Sequence, residues 1–397
     1  MDWLDVLLAL IGAPLLIWCF VLLVELGAAA KALRRRRTGS ADTPEPVAVS
    51  YTVLIPAHNE SADIAKTICE LQQVMTGDGD MLVIADNCDD ETAERARQCG
   101  AKVVERSASA QRGKGYALSF GLAALEKSPP DVVVILDADC EFTRGNPAGL
   151  AAVAQMLQRP VQSHYAMRLR DGEGLPQRIA HFAWRMKNGL RPTGLGELHL
   201  PCQLAGTGMA FPWHQIRAAR LATANIVEDL ALGIELASRG DPPFYCSSVQ
   251  VTSTFPLAAN AARGQRERWE HGHLHTILTA GPAMIIDALR RRDYRLLAMA
   301  MDMSVPPLSL LALAIGAYVV LSLGLSLIDP LPISLILSCV IFSIFASVIT
   351  VAWALSARDL LGPRDLVRVA LHVIAKVNIY VRFTTQRQRE WIRTARK

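Results

Sequence analysis

The stretch Val132-Val133-Val134-Ile135-Leu136-Asp137-Ala138-Asp139 decides the fold class. Five consecutive apolar residues, three of them valine, are typical of a strand that is buried on both faces of a parallel sheet. Asp137 and Asp139 are two residues apart, so in extended geometry they face the same side. Two buried carboxylates on one side are costly unless a cation lies between them. A solvated turn at the strand end is the alternative.

Short β-branched segments alternate with amphipathic ones around this stretch. The predicted strands are residues 51–56, 81–85, 102–105 and 132–136, and the predicted helices are about residues 62–75, 90–99 and 115–126. This alternation predicts an α/β fold with an open parallel sheet, whose ligands bind beyond the carboxyl ends of the strands. Asn59, Glu60 and Asp86 lie at such ends, as do Asp137 and Asp139.

Three apolar runs approach or exceed the roughly 20 residues that cross a bilayer core. They are Leu4–Val24, Ser304–Leu327 and Leu331–Leu355, with a predicted turn at Asp329-Pro330. Basic clusters at residues 31–37, 290–295 and 358–368 flank them and belong on the cytoplasmic side. The N-terminus is then outside and residues ~40 to ~290 are cytoplasmic. A cleaved signal peptide is the alternative, but its positive n-region is missing.

The last segment resembles an interfacial helix. Arg368, His372 and Lys376 recur every four residues among apolar ones, which favours a helix in the membrane plane over one packed on the cytoplasmic domain. The predicted organisation is an anchor (1–30), a basic linker (31–49), a catalytic domain (50–290), two transmembrane helices (300–357) and an amphipathic interfacial helix with a basic tail (358–397).

Several classes of site are disfavoured. The eight cysteines show no metal-ligand spacing, and the net charge of +4 comes with no basic stripe interleaved with aromatics, so we expect reduced thiols and no nucleic-acid binding. Gly113-Lys114-Gly115 lacks the third glycine of a dinucleotide fingerprint and the Ser/Thr of a P-loop. Lys114 is therefore either a phosphate or carboxylate contact or a solvated loop residue. No carboxylate–histidine signature supports zinc at the three histidines of residues 271–275.

Two further motifs follow the acidic pair. Glu228-Asp229 precedes a predicted helix (230–238), whose dipole favours an ionised carboxylate, although a plain N-cap also explains Asp229. In Gln265-Arg266-Glu267-Arg268-Trp269, Arg268 offers a fork for phosphate and Trp269 an apolar face for a sugar ring. The alternative is an ordinary amphipathic helix with a packed tryptophan.

Residues 53–60 (Val-Leu-Ile-Pro-Ala-His-Asn-Glu), Asp86, the acidic pair, Glu228-Asp229 and the 265–269 motif together resemble membrane-bound family 2 glycosyltransferases. These include cellulose- and hyaluronan-synthase-like enzymes and the single-addition enzymes of exopolysaccharide assembly. The resemblance implies a GT-A (Rossmann-like) cytoplasmic domain with transmembrane helices at both ends.

The resemblance also implies a role for each motif. Asp86 would contact uracil, Asp137 and Asp139 would bind the nucleotide diphosphate with its Mg²⁺ or Mn²⁺, and Asp229 would be the general base. The Gln-x-x-Arg-Trp element would line the acceptor and diphosphate region. The expected substrate-binding residues are Pro56, Asn59, Glu60, Asp86, Lys114, Asp137, Glu228, Gln265, Arg268 and Trp269.

The sequence thus predicts an inverting, metal-dependent hexosyltransferase in the plasma membrane. It would move a sugar from a UDP-sugar to a lipid, lipid-linked or exopolysaccharide acceptor at the cytoplasmic face, and residues 183–211 would form an acceptor-side insert. Three spans and one interfacial helix are few for a polymer channel, so single addition ranks above processive synthesis. A phosphatase or hydrolase using Asp137 and Asp139 would leave Asp229 without a role. The carboxylates of Asp86, of the acidic pair and of Asp229 are all present, which argues against a catalytically inactive nucleotide-sugar sensor.

Overall fold

The structure, a computed structural model, describes residues 3–38, 48–222, 227–256, 258–328 and 332–385. Its contacts divide these residues into two compact units. The sheet unit contains residues 48–168 and 200–272, and the helical unit contains residues 3–38, 169–199 and 273–385. Residues 169–199 and 273–290, which the sequence analysis assigned to the catalytic domain, group with the long apolar helices.

The sheet unit is built on eight strands. They are β1 (Tyr51–Ala57), β2 (Gly79–Asp86), β3 (Lys102–Arg106), β4 (Val132–Ile135), β5 (Glu141–Arg144), β6 (Val161–Met167), β7 (Met209–Pro212) and β8 (Phe244–Ser253). Their order is β3-β2-β1-β4-β7-β6-β8-β5. The four predicted strands are confirmed as parallel neighbours. Beyond them the sheet is mixed and not wholly parallel as predicted, because β7 joins β4 and β6 antiparallel and β5 joins β8 antiparallel, whereas β6 and β8 are parallel.

Among the described residues, seven helices pack on this sheet or follow its strands. They are Ile64–Val74, Thr92–Gln98, Lys114–Leu125, Pro147–Leu157, Trp213–Ile216, Glu228–Ser238 and Ala259–Thr279, the last of which continues into the helical unit. Gly121 lets the helix Lys114–Leu125 lie close to the sheet, since a Cβ atom there would be 2.7 Å from Ile84 Cδ1. All side chains of β4 are fully buried, as expected of a central strand with both faces covered.

The helical unit contains one long helix near the N-terminus and a series of helices from residue 175 onwards. They are Trp3–Thr38, Leu175–Arg185, the π-helix Met186–Leu190, Arg191–Glu197, Gly281–Arg291, Tyr294–Ser304, Leu308–Leu325, Ile333–Ser356, the short 3-10 turn Pro363–Asp365, Leu366–Ala375 and Val377–Thr385. Three segments, Trp3–Arg35, Leu308–Leu325 and Ile333–Ser356, are long and apolar enough to cross a membrane. The predicted turn at Asp329-Pro330 lies outside the described residues.

The first and third of these apolar helices begin side by side. The Asp5 carboxylate accepts hydrogen bonds from the backbone N–H groups of Ile333 (3.0 Å) and Ser334 (2.9 Å). A carboxylate from one helix thus caps the N-terminus of another, where the orphan N–H groups and the helix dipole favour negative charge. The two helices therefore start at the same end of the unit.

The segment 175–197 packs against the first helix through a buried ionic contact. Arg191 Nε donates to Glu25 Oε2 (2.6 Å), and Arg191 Nη2 donates to the Asp302 carbonyl oxygen (2.7 Å) and contacts its carboxylate. At Gly194 a Cβ atom would collide with the Glu25 carbonyl oxygen, so only glycine permits this approach. A guanidinium buried between two carboxylates is tolerated because opposite charges lie beside it. Removing one of the three groups would leave a buried charge uncompensated.

The predicted C-terminal interfacial helix is divided in two, at Ala375 and Val377. Leu371, Ile374, Val377 and Val381 are exposed on these two helices. Lys376 Nζ donates to Ser309 Oγ (3.2 Å) at the start of the second apolar helix. The helices are thus tied to that end of the second apolar helix, and their position in a membrane interface stays a prediction.

Candidate active site

The acidic pair lies at the carboxyl end of β4, where a parallel sheet places its ligands. The backbone N–H of Asp137 donates to Thr207 Oγ1 (3.0 Å), and the Asp137 carboxylate forms an ion pair with Lys114. Lys114 Nζ also donates to the Gly206 carbonyl oxygen (2.7 Å). Asp139 Oδ2 accepts a hydrogen bond from Ser253 Oγ (2.6 Å) at the end of β8. Lys114 is therefore a carboxylate contact and not a solvated loop residue.

A divalent cation fits this pair. Ligand atoms of Asp137, Asp139 and Cys140 lie within 4.8 Å of one another, and no other group of three such side chains occurs within the described ranges. Burial raises the pKa of the Cys140 thiol well above its ordinary value, so the thiol stays neutral while the carboxylates provide the oxygen ligands that Mg²⁺ and Mn²⁺ prefer.

Asp229 lies across Gly206 from Lys114. Gly206 has φ +88°, and a Cβ atom on it would be 3.3 Å from Asp229 Oδ2 and 3.9 Å from Lys114 Nζ. Burial acts to lower the pKa of Lys114, but the carboxylates of Asp137, Glu228 and Asp229 outweigh it and raise that pKa. The ammonium therefore stays charged among three carboxyl groups.

The alternative interpretation of Asp229 as an N-cap is wrong. The helix Glu228–Ser238 has Val227 as its N-cap, and no side chain there accepts a capping hydrogen bond. Glu228 and Asp229 instead occupy the first turn, where the helix dipole favours a carboxylate.

Glu228 and Asp229 differ in protonation. Burial, and then the neighbouring Asp229 charge, raise the pKa of Glu228 to about 7. Near neutral pH a proton on Glu228 relieves the repulsion between the two adjacent carboxyl groups. Paired carboxyl groups held in different protonation states are a common arrangement for acid–base chemistry.

The Gln-x-x-Arg-Trp element lies on the helix Ala259–Thr279, which packs beside the same first turn. A Cβ atom at Gly272 would be only 2.6 Å from Val227 Cγ1. Gln265, Arg268 and Gly272 follow the i, i+3, i+7 spacing of one helix face, with Trp269 beside it. The buried Oε1 atom of Gln265 accepts no hydrogen bond from the described residues. The face that contacts Val227 is therefore the face that carries the motif.

Asp86 at the end of β2 is paired with an arginine that the sequence analysis did not identify. Arg106 Nη1 donates to Asp86 Oδ1 (2.6 Å) and to the Gln111 carbonyl oxygen (2.9 Å), and both charged side chains are more than nine-tenths buried. The guanidinium also lies over the Tyr116 ring, 5.6 Å from its centroid. Arg106 thus joins Asp86 to the loop that leads to Lys114.

The residues predicted after β1 form hydrogen bonds with the loop that follows β2. Asn59 has φ +55°, and its Oδ1 accepts from the Asp89 N–H (2.9 Å), while the Glu60 N–H donates to Thr92 Oγ1 (2.8 Å). Pro56 is half-buried within β1. These contacts tie the β1 end to the β2 end, and contact of these residues with substrate stays a prediction.

Arg106, Thr207 and Ser253 contact the predicted site residues but were not predicted as site residues. Arg106 could have been found, because it ends β3 in the same register as Asp86 ends β2. Ser253 reaches Asp139 only because β8 and β5 are neighbours, and nothing in the local sequence reveals that pairing.

We expect Arg106→Met to destabilise the protein by about 3–5 kcal/mol, because it strands a buried carboxylate. Thermal unfolding in detergent would measure the loss. Removing both charges with Asp86→Asn and Arg106→Met together should recover most of it. Arg97→Met is a matched control, since the Arg97–Glu105 pair is exposed and such pairs contribute about 1 kcal/mol or less. Equal stability of Arg106→Met and Arg97→Met would contradict the expectation.

Comparison with known families assigns the chain. The model of Glycosyl transferase family 2 matches residues 52–191, and that of Glycosyl transferase family group 2 matches residues 132–357, more than half of the chain. The chain belongs to glycosyl transferase family group 2. The prediction of a glycosyltransferase is confirmed; the cellulose- and hyaluronan-synthase-like subgroup stays a prediction.

Two curated relatives align with part of the family 2 chain. A 4,4'-diaponeurosporenoate glycosyltransferase of Staphylococcus haemolyticus is 32% identical over 114 residues, 28% of this chain and 29% of its own length. A dolichyl-phosphate hexose transferase of Haloferax volcanii is 30% identical over 91 residues, 23% of this chain and 36% of its own length. The chain thus aligns with about a third of each relative.

Two solved structures are also similar. A mannosyltransferase from Pyrobaculum calidifontis in complex with GDP-Man and Mn²⁺ gives a TM-score of 0.48 at 16% identity, covering 88% of this chain and 99% of that one. A glucosyl-3-phosphoglycerate synthase from Mycobacterium tuberculosis in complex with Mg²⁺ and UDP gives a TM-score of 0.36 at 24% identity, covering 56% and 79%.

Proposed function

We propose that this family 2 protein is an inverting GT-A hexosyltransferase that moves a sugar from a UDP-sugar to a lipid or lipid-linked acceptor at the cytoplasmic membrane face. One observation supports this most: the Lys114 ammonium is paired with Asp137 and also interacts with Asp229, which is 92 residues from Asp137 in sequence and lies close to Gly206. That arrangement supports a diphosphate-binding group and a base that act within one polar site.

Each residue has a task in the proposed transfer. Asp229 accepts the proton of the acceptor hydroxyl as its oxygen forms a bond to the anomeric carbon, and the bond from that carbon to the β-phosphate oxygen breaks. The charged Lys114 holds the Asp137 carboxylate in place and lies where phosphate oxygens would carry negative charge. UDP leaves with the bonding electron pair. Arg268 on the neighbouring helix offers a bidentate partner for phosphate or acceptor.

Asp137 and Asp139 would hold the Mg²⁺ or Mn²⁺, whose chemistry is to neutralise the charge on the diphosphate leaving group. Ser253 orients one of these carboxylates through its hydrogen bond. Asp86, with one oxygen held by Arg106, would present its other oxygen to a base N–H such as that of uracil.

A lipid acceptor is supported by the three long apolar helices and by the name of one relative. The helices would keep the enzyme at the membrane, and the Haloferax relative is named for transfer to dolichyl phosphate. Three such helices among the described residues also favour a single addition over a polymer channel, as the sequence predicted.

A donor screen tests the proposal. Membranes containing the protein would be supplied with UDP-, GDP- and CDP-sugars, and nucleotide release and lipid-linked product would be measured together. We expect UDP release matched by product. Free sugar or phosphate without product would favour the hydrolase alternative. If nucleotide is released only from GDP-sugars, the donor is a GDP-sugar and not a UDP-sugar.

We infer the orientation in the membrane from the first and third apolar helices, which begin at the same end of the helical unit. Because Asp5 caps the start of the helix Ile333–Ser356, the opposite ends of both helices, at Lys31–Arg35 and Arg358, share one side. Cationic ends are retained in the cytoplasm. This supports a cytoplasmic sheet unit and an outward N-terminus.

We expect a reporter fused after Arg37 or after Lys397 to behave as cytoplasmic and one inserted at Asp329 to behave as external. Enzymatic or fluorescent reporters that work on one side only would measure this. Labelling of the region around Asp137 from outside would overturn both the topology and the use of a cytoplasmic nucleotide sugar.

A further inference from the structure

The helix Gly281–Arg291 has two apolar sides. Met284 and Ala288 are buried within the helical unit. On the other side Ile286 is 49% and Leu289 61% exposed, Pro282 is exposed, and Leu278 at the end of the preceding helix is 65% exposed. Positions 282, 286 and 289 recur at helical spacing, so they form one stripe. A second apolar stripe on a surface helix indicates a further partner.

Cationic residues border this stripe at its C-terminal end. Arg290, Arg292 and Arg295 are exposed, and Arg291 pairs with Asp287 (2.8 Å). Arg295 also lies over the exposed Tyr294 ring, 5.8 Å from its centroid. We define the 278–295 surface as this apolar stripe together with Tyr294 and the four arginines. Arginine and tyrosine beside an apolar face match the composition of the membrane interface.

One helix connects the 278–295 surface to the second apolar helix. This helix, Tyr294–Ser304, begins at the N-cap Asp293 and ends four residues before Leu308. Its last residue contacts the first apolar helix, since Ser304 Oγ accepts a hydrogen bond from Trp18 Nε1 (3.2 Å). The surface is therefore one short helix away from the point where the chain would enter the bilayer.

We propose that the 278–295 surface rests on an anionic phospholipid surface, with its apolar stripe at the boundary between headgroups and acyl chains and its arginines on the phosphates. Its four arginines outnumber the two aspartates of the same stretch, which complements anionic lipid. The proposal rests on the proposed membrane insertion and adds to it a lipid preference that the three spans alone do not require.

Depth-dependent quenching in nanodiscs tests this with the full chain. The exposed Cys69 and Cys339 would be replaced by serine, and Ile286→Cys labelled with an environment-sensitive fluorophore. A shallow quencher would be carried on either phosphatidylglycerol or phosphatidylcholine in mixed bilayers. Val320→Cys in the second apolar helix reports insertion, and Met156→Cys in the sheet unit is an exposed control.

We expect quenching at position 286 to be at least two-fold stronger from the anionic lipid, with none at position 156. Replacing Arg290, Arg292 and Arg295 by glutamine should bring the ratio close to one while position 320 stays quenched. No quenching at 286, an equal ratio, or label–label energy transfer between copies would overturn the proposal. Quenching at 320 without 286 would leave insertion intact, whereas loss at both positions would remove insertion as well.

Discussion

Asp139→Asn is expected to reduce sugar transfer below detection and to remove the metal dependence of UDP binding. The change keeps an oxygen that can accept the hydrogen bond from Ser253 but halves the negative charge that faces the cation. Lys114 already neutralises part of the Asp137 charge, so a lone Asp137 would be a poor ligand for a divalent ion. Both losses therefore follow from one missing charge.

Manganese titration by electron paramagnetic resonance, alongside UDP release, would separate binding from chemistry. Asp131→Asn is the matched control, because Asp131 precedes the same strand at its opposite end and accepts hydrogen bonds from Ser50. It should keep metal binding and transfer. Full activity of the wild-type protein in EDTA would eliminate the metal site altogether.

The parallel half of the sheet could be predicted because its strands carry their own signal. Residues 132–135 are apolar and fully buried, and such a run has few alternatives to a central strand. The mixed half was not predicted. Met209–Pro212 follows Gly206 and Gly208, which resemble a turn, and it becomes a strand by pairing with β4 and β6, which are distant in sequence.

The candidate site likewise contains residues that could be predicted from the sequence and residues that could not. Asp86, Asp137 and Asp139 could be identified because each ends a predicted strand. Arg106, Thr207 and Ser253 are defined by contacts across the fold, and serine, threonine and arginine are too common to be noticed singly. Residues 183–211 were expected to form an acceptor-side insert, and that role stays a prediction. Within them Arg185 and Arg191 contact the long apolar helices. Those contacts could not be predicted, because the partners of Arg191 are 166 and 111 residues away in sequence.

Asp229→Asn is expected to reduce transfer by roughly 10²- to 10⁴-fold, the usual cost of losing a general base. The structure sharpens this expectation, because Val227 and not Asp229 caps the helix. In that first turn the Asp229 carboxylate interacts favourably with the helix dipole, which contributes about 1 kcal/mol or less at most surface sites. Thermal stability and UDP binding should therefore change little while transfer almost disappears.

Glu235→Gln is a matched control on the same helix, since Glu235 pairs with Arg239 near the far end and is not expected to affect transfer. Glu228→Gln separates the two adjacent acids. Burial and Asp229 raise the pKa of Glu228 to about 7, so at pH 6 this group largely keeps its proton and its amide mimic should retain much of the activity. If Asp229→Asn transfers sugar almost normally and Glu228→Gln does not, the base is Glu228 and Asp229 serves to set its protonation.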